Sequence, residues 1–141
     1  PSGHDIGSGF GTDNGGAIPT HLLQIPNTEA TSSYLRRCKA LGRDGHPARF
    51  PAALPEFFVK YLTDPEDLVV DIFSGSNTTG RISENLGRRW IAIEERRDYA
   101  ALSLLRFLSD DLGVAEMAEL VAQAEQKGVT VPRAARQMTL V

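Results

Sequence analysis

The clearest pattern of hydrophobic and polar positions lies between residues 68 and 94, LVVDIFSGSNTTGRISENLGRRWIAIE. Residues 68–73 are apolar with one interruption, which is typical of a parallel strand buried on both faces. Small residues at 74–80 predict a turn, and the stretch that ends at Gly87 predicts a helix of about two to three turns. Apolar residues 90–93 predict a second strand. This order indicates an α/β fold with two main parallel strands and flanking helices.

The candidate functional residues lie at the carboxyl ends of the two predicted strands. Ligands of open α/β sheets bind there, so Asp71, the turn and Glu94 are expected to share one pocket. Glu94 follows Gly75 by 19 residues, close to the offset of roughly 20 at which an acidic residue binds ribose hydroxyls. The turn is small enough for its amides and the helix N-terminus to approach a ligand carboxylate or phosphate. Its residues are Ser74, Gly75, Ser76, Asn77 and Thr78.

Each part of this pattern also has an ordinary structural explanation. Taken alone, Gly75 is equally consistent with a simple tight turn and Glu94 with a solvated strand end. Phe73 taken alone is more typical of a core residue. The turn matches neither a G-x-G-x-x-G fingerprint nor a P-loop, because the second glycine and the glycine-lysine pair are missing. A dinucleotide or a nucleoside triphosphate is therefore disfavoured as the ligand.

The rest of the chain predicts an irregular arm followed by helices. Residues 1–27 hold six of the 13 glycines, which indicates an extended, turn-rich arm before a main domain at residues 28–141. A helix is predicted from about Thr31 to Leu41. A second helix is expected to begin near Pro55. The predicted apolar faces of these two helices are Tyr34, Leu35, Cys38 and Leu41, and Phe57, Phe58, Tyr61 and Leu62.

Two further helices are predicted after Glu94, and the tail at residues 129–141 is ambiguous. Their apolar stripes have helical spacing and indicate core packing rather than chemistry. The second helix is expected to end at Gly128. The stripes are Tyr99, Leu102, Leu105 and Leu108, and Val114, Met117, Leu120, Val121 and Ala124.

Composition narrows the possible classes of protein. A mass of 15.3 kDa and 41% hydrophobic residues suffice for one modest core. The sequence has no signal-peptide pattern and no apolar run of about 18 residues, so a cytoplasmic protein without a membrane partner is expected. The single Cys38 excludes an internal disulfide and, with only three His, disfavours a structural zinc site.

The net charge of −3 conceals one basic segment. Residues 31–60 carry six Lys or Arg against two acids. Such a segment is what contact with nucleic-acid phosphates would require, although a solvated helix face explains it about as well.

Two motifs in the 68–94 unit carry a family resemblance. DIFSGSNTTG at residues 71–80 and GRRWIAIE at residues 87–94 resemble the motif pair of S-adenosylmethionine-dependent DNA methyltransferases that modify exocyclic amino groups. The asparagine form SGSNTTG is more similar to the cytosine-N4 branch than to the adenine branch. HPARFP at residues 46–51 resembles the segment that packs over the methionine end of the cofactor in these enzymes, and the likeness extends over about residues 5–108.

The resemblance implies a partial Rossmann-like methyltransferase sheet that binds S-adenosylmethionine and meets DNA through the complete enzyme. It implies that Asp71 and the amides of Ser74–Thr78 hold the methionine moiety, that Phe73 walls the pocket and that Glu94 takes the ribose hydroxyls. It also implies that His46, Phe50 and Pro51, in the preceding HPARFP segment, help to bind the cofactor. A methyltransferase for RNA or a small molecule is disfavoured, because HPARFP and the arm sequence DNGGAIP have no place in it.

The family's catalytic tetrapeptide, [SDN]-P-P-[FYW], is not found, because the chain contains no Pro-Pro pair. No residue is therefore named as catalytic. In the branch that this sequence resembles, the catalytic part precedes the cofactor-binding part, and the first residue is Pro1 rather than Met. The expectation is a C-terminal cofactor-binding portion without its catalytic half.

Two explanations of such a portion stay open: one half of a two-chain enzyme, or a truncated product. A third possibility, from a different class, is a non-catalytic remnant that acts as a structural or interaction module. The open edge of the first strand is expected to recruit a complementary half or a second copy of the chain.

Overall fold

The computed structural model of the chain describes residues 22–26, 32–127, 130–133 and 136–139. Most of the predicted arm and the expected helix stop at Gly128 lie outside these residues. A membrane span would require a longer and more apolar helix than any in the described part of the chain.

Five helices and four strands follow one another along the described chain. A 3-10 turn at Leu104–Arg106 follows α4 directly. The elements are α1 Ser33–Ala40, α2 Ala53–Leu62, β1 Leu68–Asp71, α3 Thr78–Asn85, β2 Arg89–Ala92, α4 Arg97–Ser103, α5 Val114–Lys127, β3 Thr130–Arg133 and β4 Arg136–Thr139.

β1 and β2 form a two-stranded parallel sheet, as predicted, with α3 as the crossover between them. The register pairs Leu68 with Arg89 and Asp71 with Ala92. Pairing continues past the strands, because the amide of Ile93 donates to the Asp71 carbonyl at 2.8 Å and the amide of Ser74 donates to the Ile93 carbonyl at 2.9 Å. The carboxyl ends of the two strands are thereby held side by side. β3 and β4, in the ambiguous tail, form a separate antiparallel pair.

The main core joins α1, α4, the 3-10 turn and α5. Tyr34, Leu102 and Leu105 are fully buried in it. The predicted helix at residues 31–41 and its apolar face are confirmed, because Tyr34 and Cys38 are buried and their apolar neighbours pack against the cluster. A smaller cluster lies on one face of the sheet, where Trp90 stacks on Phe107 with ring centroids 5.0 Å apart.

The other face of the sheet carries a bare apolar surface. α3 and Phe107 cover the side of the sheet that holds Val69, Trp90 and Ala92. The prediction that the first strand is buried on both faces is therefore wrong, because the side chains of Leu68, Val70 and Ile72 on the second side are 46% to 58% exposed. We call this side the open sheet face; its side chains are 37% to 58% exposed and are Leu68, Val70, Ile72, Ile91 and Ile93.

The predicted buried face of the second helix is also wrong. α2 packs on α3, and its buried residues are Pro55 and Val59. Of the four predicted residues, Phe57 is half-buried, whereas Phe58, Tyr61 and Leu62 are 45%, 61% and 68% exposed. Both stripes of α2 are apolar, so its sequence does not distinguish the side that packs on α3 from the exposed side.

Candidate functional site

The turn after β1 depends on two residues in the left-handed backbone region. Gly75 has a φ of 53° and Asn77 a φ of 58°, values that glycine adopts freely and asparagine tolerates. The Asn77 amide donates to the Ser74 carbonyl at 2.7 Å, which closes the turn. Asn77 Oδ1 accepts from the Gly80 amide at 3.0 Å and so caps α3. The helix therefore begins at Thr78, inside the stretch predicted as turn.

Glu94 lies against this turn. Its Oε2 accepts a hydrogen bond from the Gly75 amide at 2.8 Å, and its Oε1 accepts from the Arg96 amide at 3.0 Å. The structure thus brings Glu94 and Gly75, 19 residues apart, into direct contact at the ends of two neighbouring strands. Each carboxylate oxygen can accept more than one hydrogen bond, so both retain capacity for a ligand.

Asp71 and Phe73 stand at the same end of β1. Asp71 Oδ1 accepts from the Phe73 amide at 3.1 Å. The Phe73 side chain is 86% exposed. An apolar ring this exposed beside a polar turn is available to contact a bound ligand.

The His46 ring packs against Gly75. A Cβ built on Gly75 would lie 3.1 Å from the ring atoms Cε1 and Nδ1, so both the space and the positive φ favour glycine. His46 Nδ1 is 2.8 Å from the Ala48 carbonyl, which only accepts, so Nδ1 carries the hydrogen and Nε2 is the acceptor nitrogen of the neutral ring. Tyr99 meets the ring edge-on with centroids 4.6 Å apart. His46 is therefore fixed beside the turn.

Phe50 and Pro51 occupy the start of the α2 region. Pro51 is half-buried, and its carbonyl accepts from the Leu54 amide at 3.0 Å. Phe50 lines an apolar groove of about 330 Å³ between α2, β1 and the first turn of α3. The other lining residues are Leu54, Pro55, Phe58, Val59, Leu62, Thr63, Val69 and Thr79. The roles of Phe50 and Pro51 toward a ligand stay predictions.

Sequence reasoning missed two residues that support the turn, Arg106 and Tyr34. Arg106 donates from Nε to the Ser76 carbonyl at 2.6 Å and from Nη2 to Ser76 Oγ at 2.9 Å. Its guanidinium lies over the Tyr34 ring, 4.7 Å from Cζ to the centroid. The Tyr34 hydroxyl in turn accepts from the His46 amide at 3.1 Å. Residue spacing within one segment does not predict these contacts, because they join segments that are distant in the sequence.

Burial sets the protonation state of the Tyr34 hydroxyl. Removal from water raises the pKa of Tyr34 to about 12, because a low-dielectric environment disfavours the charged phenolate. The neighbouring Cys38 thiol also has a raised pKa for the same reason. Tyr34 is therefore a neutral hydroxyl at ordinary pH and Cys38 an unreactive core thiol.

Much of the basic segment at residues 31–60 serves the fold. Arg37 donates to the carbonyls of Leu105, Leu108 and Ser109 and pairs with Asp110. Arg43 pairs with Glu125, Arg49 donates to the His46 carbonyl and Lys60 pairs with Glu56. These partners explain four of the six bases without nucleic acid. The described residues hold no group of three or more His, Cys, Asp or Glu able to bind a metal ion.

The sequence matches a known protein family. A family model described as DNA methylase, N6_N4_Mtase, matches residues 13–104. The chain is 53% identical over 120 residues to the type II methyltransferase M.PvuII of Proteus hauseri, covering 85% of this chain and 36% of that protein. It is 34% identical over 91 residues to M.ScaI of Streptomyces caespitosus, covering 64% of this chain and 29% of the relative.

A solved structure shares the fold. The PvuII DNA methyltransferase (cytosine-N4-specific) aligns with a TM-score of 0.73 and 48% identity, covering 77% of this chain and 38% of that one. The chain thus spans about a third of the length of the relatives that it matches. The predicted resemblance to the cytosine-N4 branch is confirmed by the similarity to the PvuII enzyme. From the family model, the sequence identity and the shared fold, we conclude that the chain belongs to the DNA methylase family.

Proposed function

We propose that this chain is the S-adenosylmethionine-binding part of a site-specific DNA methyltransferase that modifies the N4 amine of cytosine. The observation that carries the proposal is the 2.8 Å contact between Gly75 N and Glu94 Oε2. It joins an acid at the ribose-binding offset to a turn of small residues, at the edge of the sheet where such folds bind nucleosides.

The residues present suit this cofactor, which supplies a methyl group on a positively charged sulfur. Glu94 has carboxylate capacity left for the two ribose hydroxyls. The start of α3 favours the methionine carboxylate, and Asp71 favours its ammonium group. Within the 74–78 turn the amides of Ser74, Gly75 and Asn77 already donate inside the chain, so the amides of Ser76 and Thr78 are the proposed donors to the carboxylate. The exposed ring of Phe73 gives an apolar wall, and covering it with a ligand would contribute up to about 2 kcal/mol. His46 lies beside the turn, and Phe50 and Pro51 complete the preceding segment.

Methyl transfer to cytosine requires groups that this chain does not carry. The target base must be turned out of the duplex and its weakly nucleophilic amine aligned by hydrogen-bond acceptors. The family's tetrapeptide for this task contains Pro-Pro, and the 141 residues contain none. We therefore propose that DNA binding and catalysis need a complementary part, in the same or another polypeptide.

The sheet supports a need for such a partner. The outer edge of β1 is unpaired in the described structure, and the open sheet face exposes five apolar side chains. Unpaired edges and contiguous apolar surface favour association. A complementary half, or a second copy of this chain, would cover them.

A non-catalytic structural module is the alternative. One observation favours it: both oxygens of Glu94 already accept amide hydrogen bonds within the chain. Glu94 could then serve only to fix the turn, with no nucleoside to bind.

Calorimetric titration of the 141-residue chain with S-adenosylhomocysteine, the demethylated product, tests the proposal. Wild type should bind, and Glu94→Gln should weaken binding about 10- to 100-fold, as expected when charged hydrogen bonds of about 1.5–3 kcal/mol are weakened. The neighbouring exposed Glu95→Gln is the matched control and should bind like wild type. No binding by wild type, alone or with the catalytic part of a relative such as M.PvuII, removes the cofactor role. Equal binding by Glu94→Gln removes the ribose role and favours the structural module.

A further inference from the structure

The turn at residues 74–78 is supported from two sides by groups that converge on one buried tyrosine. On one side Arg106 holds both the carbonyl and the hydroxyl of Ser76. On the other side the His46 ring fills the space under Gly75. Tyr34 connects the two sides, since its ring lies under the Arg106 guanidinium and its hydroxyl accepts from the His46 amide.

The turn contains two left-handed residues, Gly75 and Asn77, on either side of Ser76. A short irregular turn of this kind has few backbone hydrogen bonds of its own, so contacts from other elements help to fix its geometry. Arginine suits the task better than lysine. Its planar guanidinium presents Nε and Nη2 in a fixed geometry, which matches the two Ser76 oxygens, while its face stacks on the ring of Tyr34. Ser76 is 3% exposed, so these hydrogen bonds are shielded from water and hold their geometry.

We propose that Tyr34 and Arg106 are positioning residues that set the backbone amides of the 74–78 turn for the cofactor. The proposal rests on the proposed function for its ligand, but its geometry stands independently of it. Neither residue is placed in contact with the cofactor. Both act through the turn: Arg106 through Ser76, and Tyr34 through Arg106 and His46.

Four variants of the 141-residue chain separate this role from general stability. Arg106→Lys keeps the charge and loses the two-point geometry, and Tyr34→Phe keeps the ring and loses the hydroxyl. The matched controls are Arg89→Lys, whose Nε donates to the Glu66 carbonyl away from the turn, and Tyr61→Phe, whose side chain is exposed. Arg106→Lys should weaken S-adenosylhomocysteine binding about 10-fold and Tyr34→Phe about 3-fold. Both controls should bind like wild type.

Amide hydrogen exchange, measured by NMR on the ligand-free chain, distinguishes support of the turn from a general contribution to stability. The Gly75 and Asn77 amides, bonded to Glu94 and to the Ser74 carbonyl, should exchange about 10-fold faster in Arg106→Lys. The amide of Val121, in the middle of α5, should be unchanged. Faster exchange throughout the chain would show general destabilisation and overturn the proposal, as would unchanged turn amides in both variants. If the turn responds as expected but wild type binds no S-adenosylhomocysteine, the proposed cofactor fails while the support of the turn stands.

Discussion

Gly75→Ala is the sharpest test of how the turn is built, because the substitution keeps the amide that donates to Glu94 and adds only one methyl group. Two penalties act on that methyl. The backbone has a φ of 53°, which costs an alanine about 1–2 kcal/mol. The new Cβ would also lie 3.1 Å from two atoms of the His46 ring, closer than normal van der Waals contact. Displacing a packed ring typically costs about 1–3 kcal/mol.

A second glycine in the same unit separates the two penalties. Gly87 has a φ of 80°, but a Cβ there meets no atom within 4 Å. Gly87→Ala should therefore show the backbone cost alone, about 1 kcal/mol after the smaller entropy of the unfolded alanine chain is allowed for. Gly75→Ala should lose about 2–4 kcal/mol in total.

Urea unfolding followed by circular dichroism measures these losses, and a double-mutant cycle with His46→Ala assigns them. Removing the ring opens the space, so in the His46→Ala background the cost of Gly75→Ala should fall to that of Gly87→Ala. Hydrogen bonding by the His46 backbone to Tyr34 survives this change. Equal costs for the two glycine variants, or a cost of Gly75→Ala that does not depend on His46, would refute the packing of the ring under the turn.

Three further predictions concern the turn, the buried tyrosine and the open sheet face. Asn77→Ala should cost about 2 kcal/mol in urea unfolding, because it loses the cap and places an alanine at a left-handed φ. Asn77→Gly also loses the side-chain cap but tolerates the backbone, so it should cost only a few tenths of a kcal/mol. Equal losses would contradict the cost assigned to the left-handed φ. Because the pKa of Tyr34 is raised to about 12 in the folded chain, its contribution to stability is fully present below pH 10 and is lost as pH rises to 12, by up to about 2–3 kcal/mol. Tyr34→Phe should flatten that part of the stability profile and Tyr61→Phe should not. Val70→Lys, on the open sheet face, should leave unfolding free energy within about 0.5 kcal/mol but reduce self-association in sedimentation velocity; undiminished association would show that another surface is used.

The strand, turn, helix and strand at residues 68–94 were predictable because local signals agree there. Apolar runs mark both strands, small residues mark the turn and Gly87 ends the helix, with its φ of 80°. The offset between Gly75 and Glu94 is also a sequence property, and the two residues do meet. The support of the turn by Tyr34 and Arg106 was not predictable, because it joins segments that only the tertiary fold brings together. Tyr34 has the spacing of an ordinary core residue, and no pattern distinguishes it from Leu105.

The two wrong burial predictions have one physical cause. An apolar periodicity shows which side chains avoid water, but it does not show which element covers them. Two surfaces have the apolar composition of a core and yet are exposed in the described structure. One is the α2 stripe of Phe58, Tyr61 and Leu62, and the other is the open sheet face. The apolar groove of about 330 Å³ lies between α2 and β1, next to the first of these surfaces. Because the chain covers only 38% of the related PvuII methyltransferase, the simplest source of a cover is the part of such an enzyme that this chain does not match. These uncovered side chains therefore support the same proposal as the absent Pro-Pro motif, from packing rather than from catalysis.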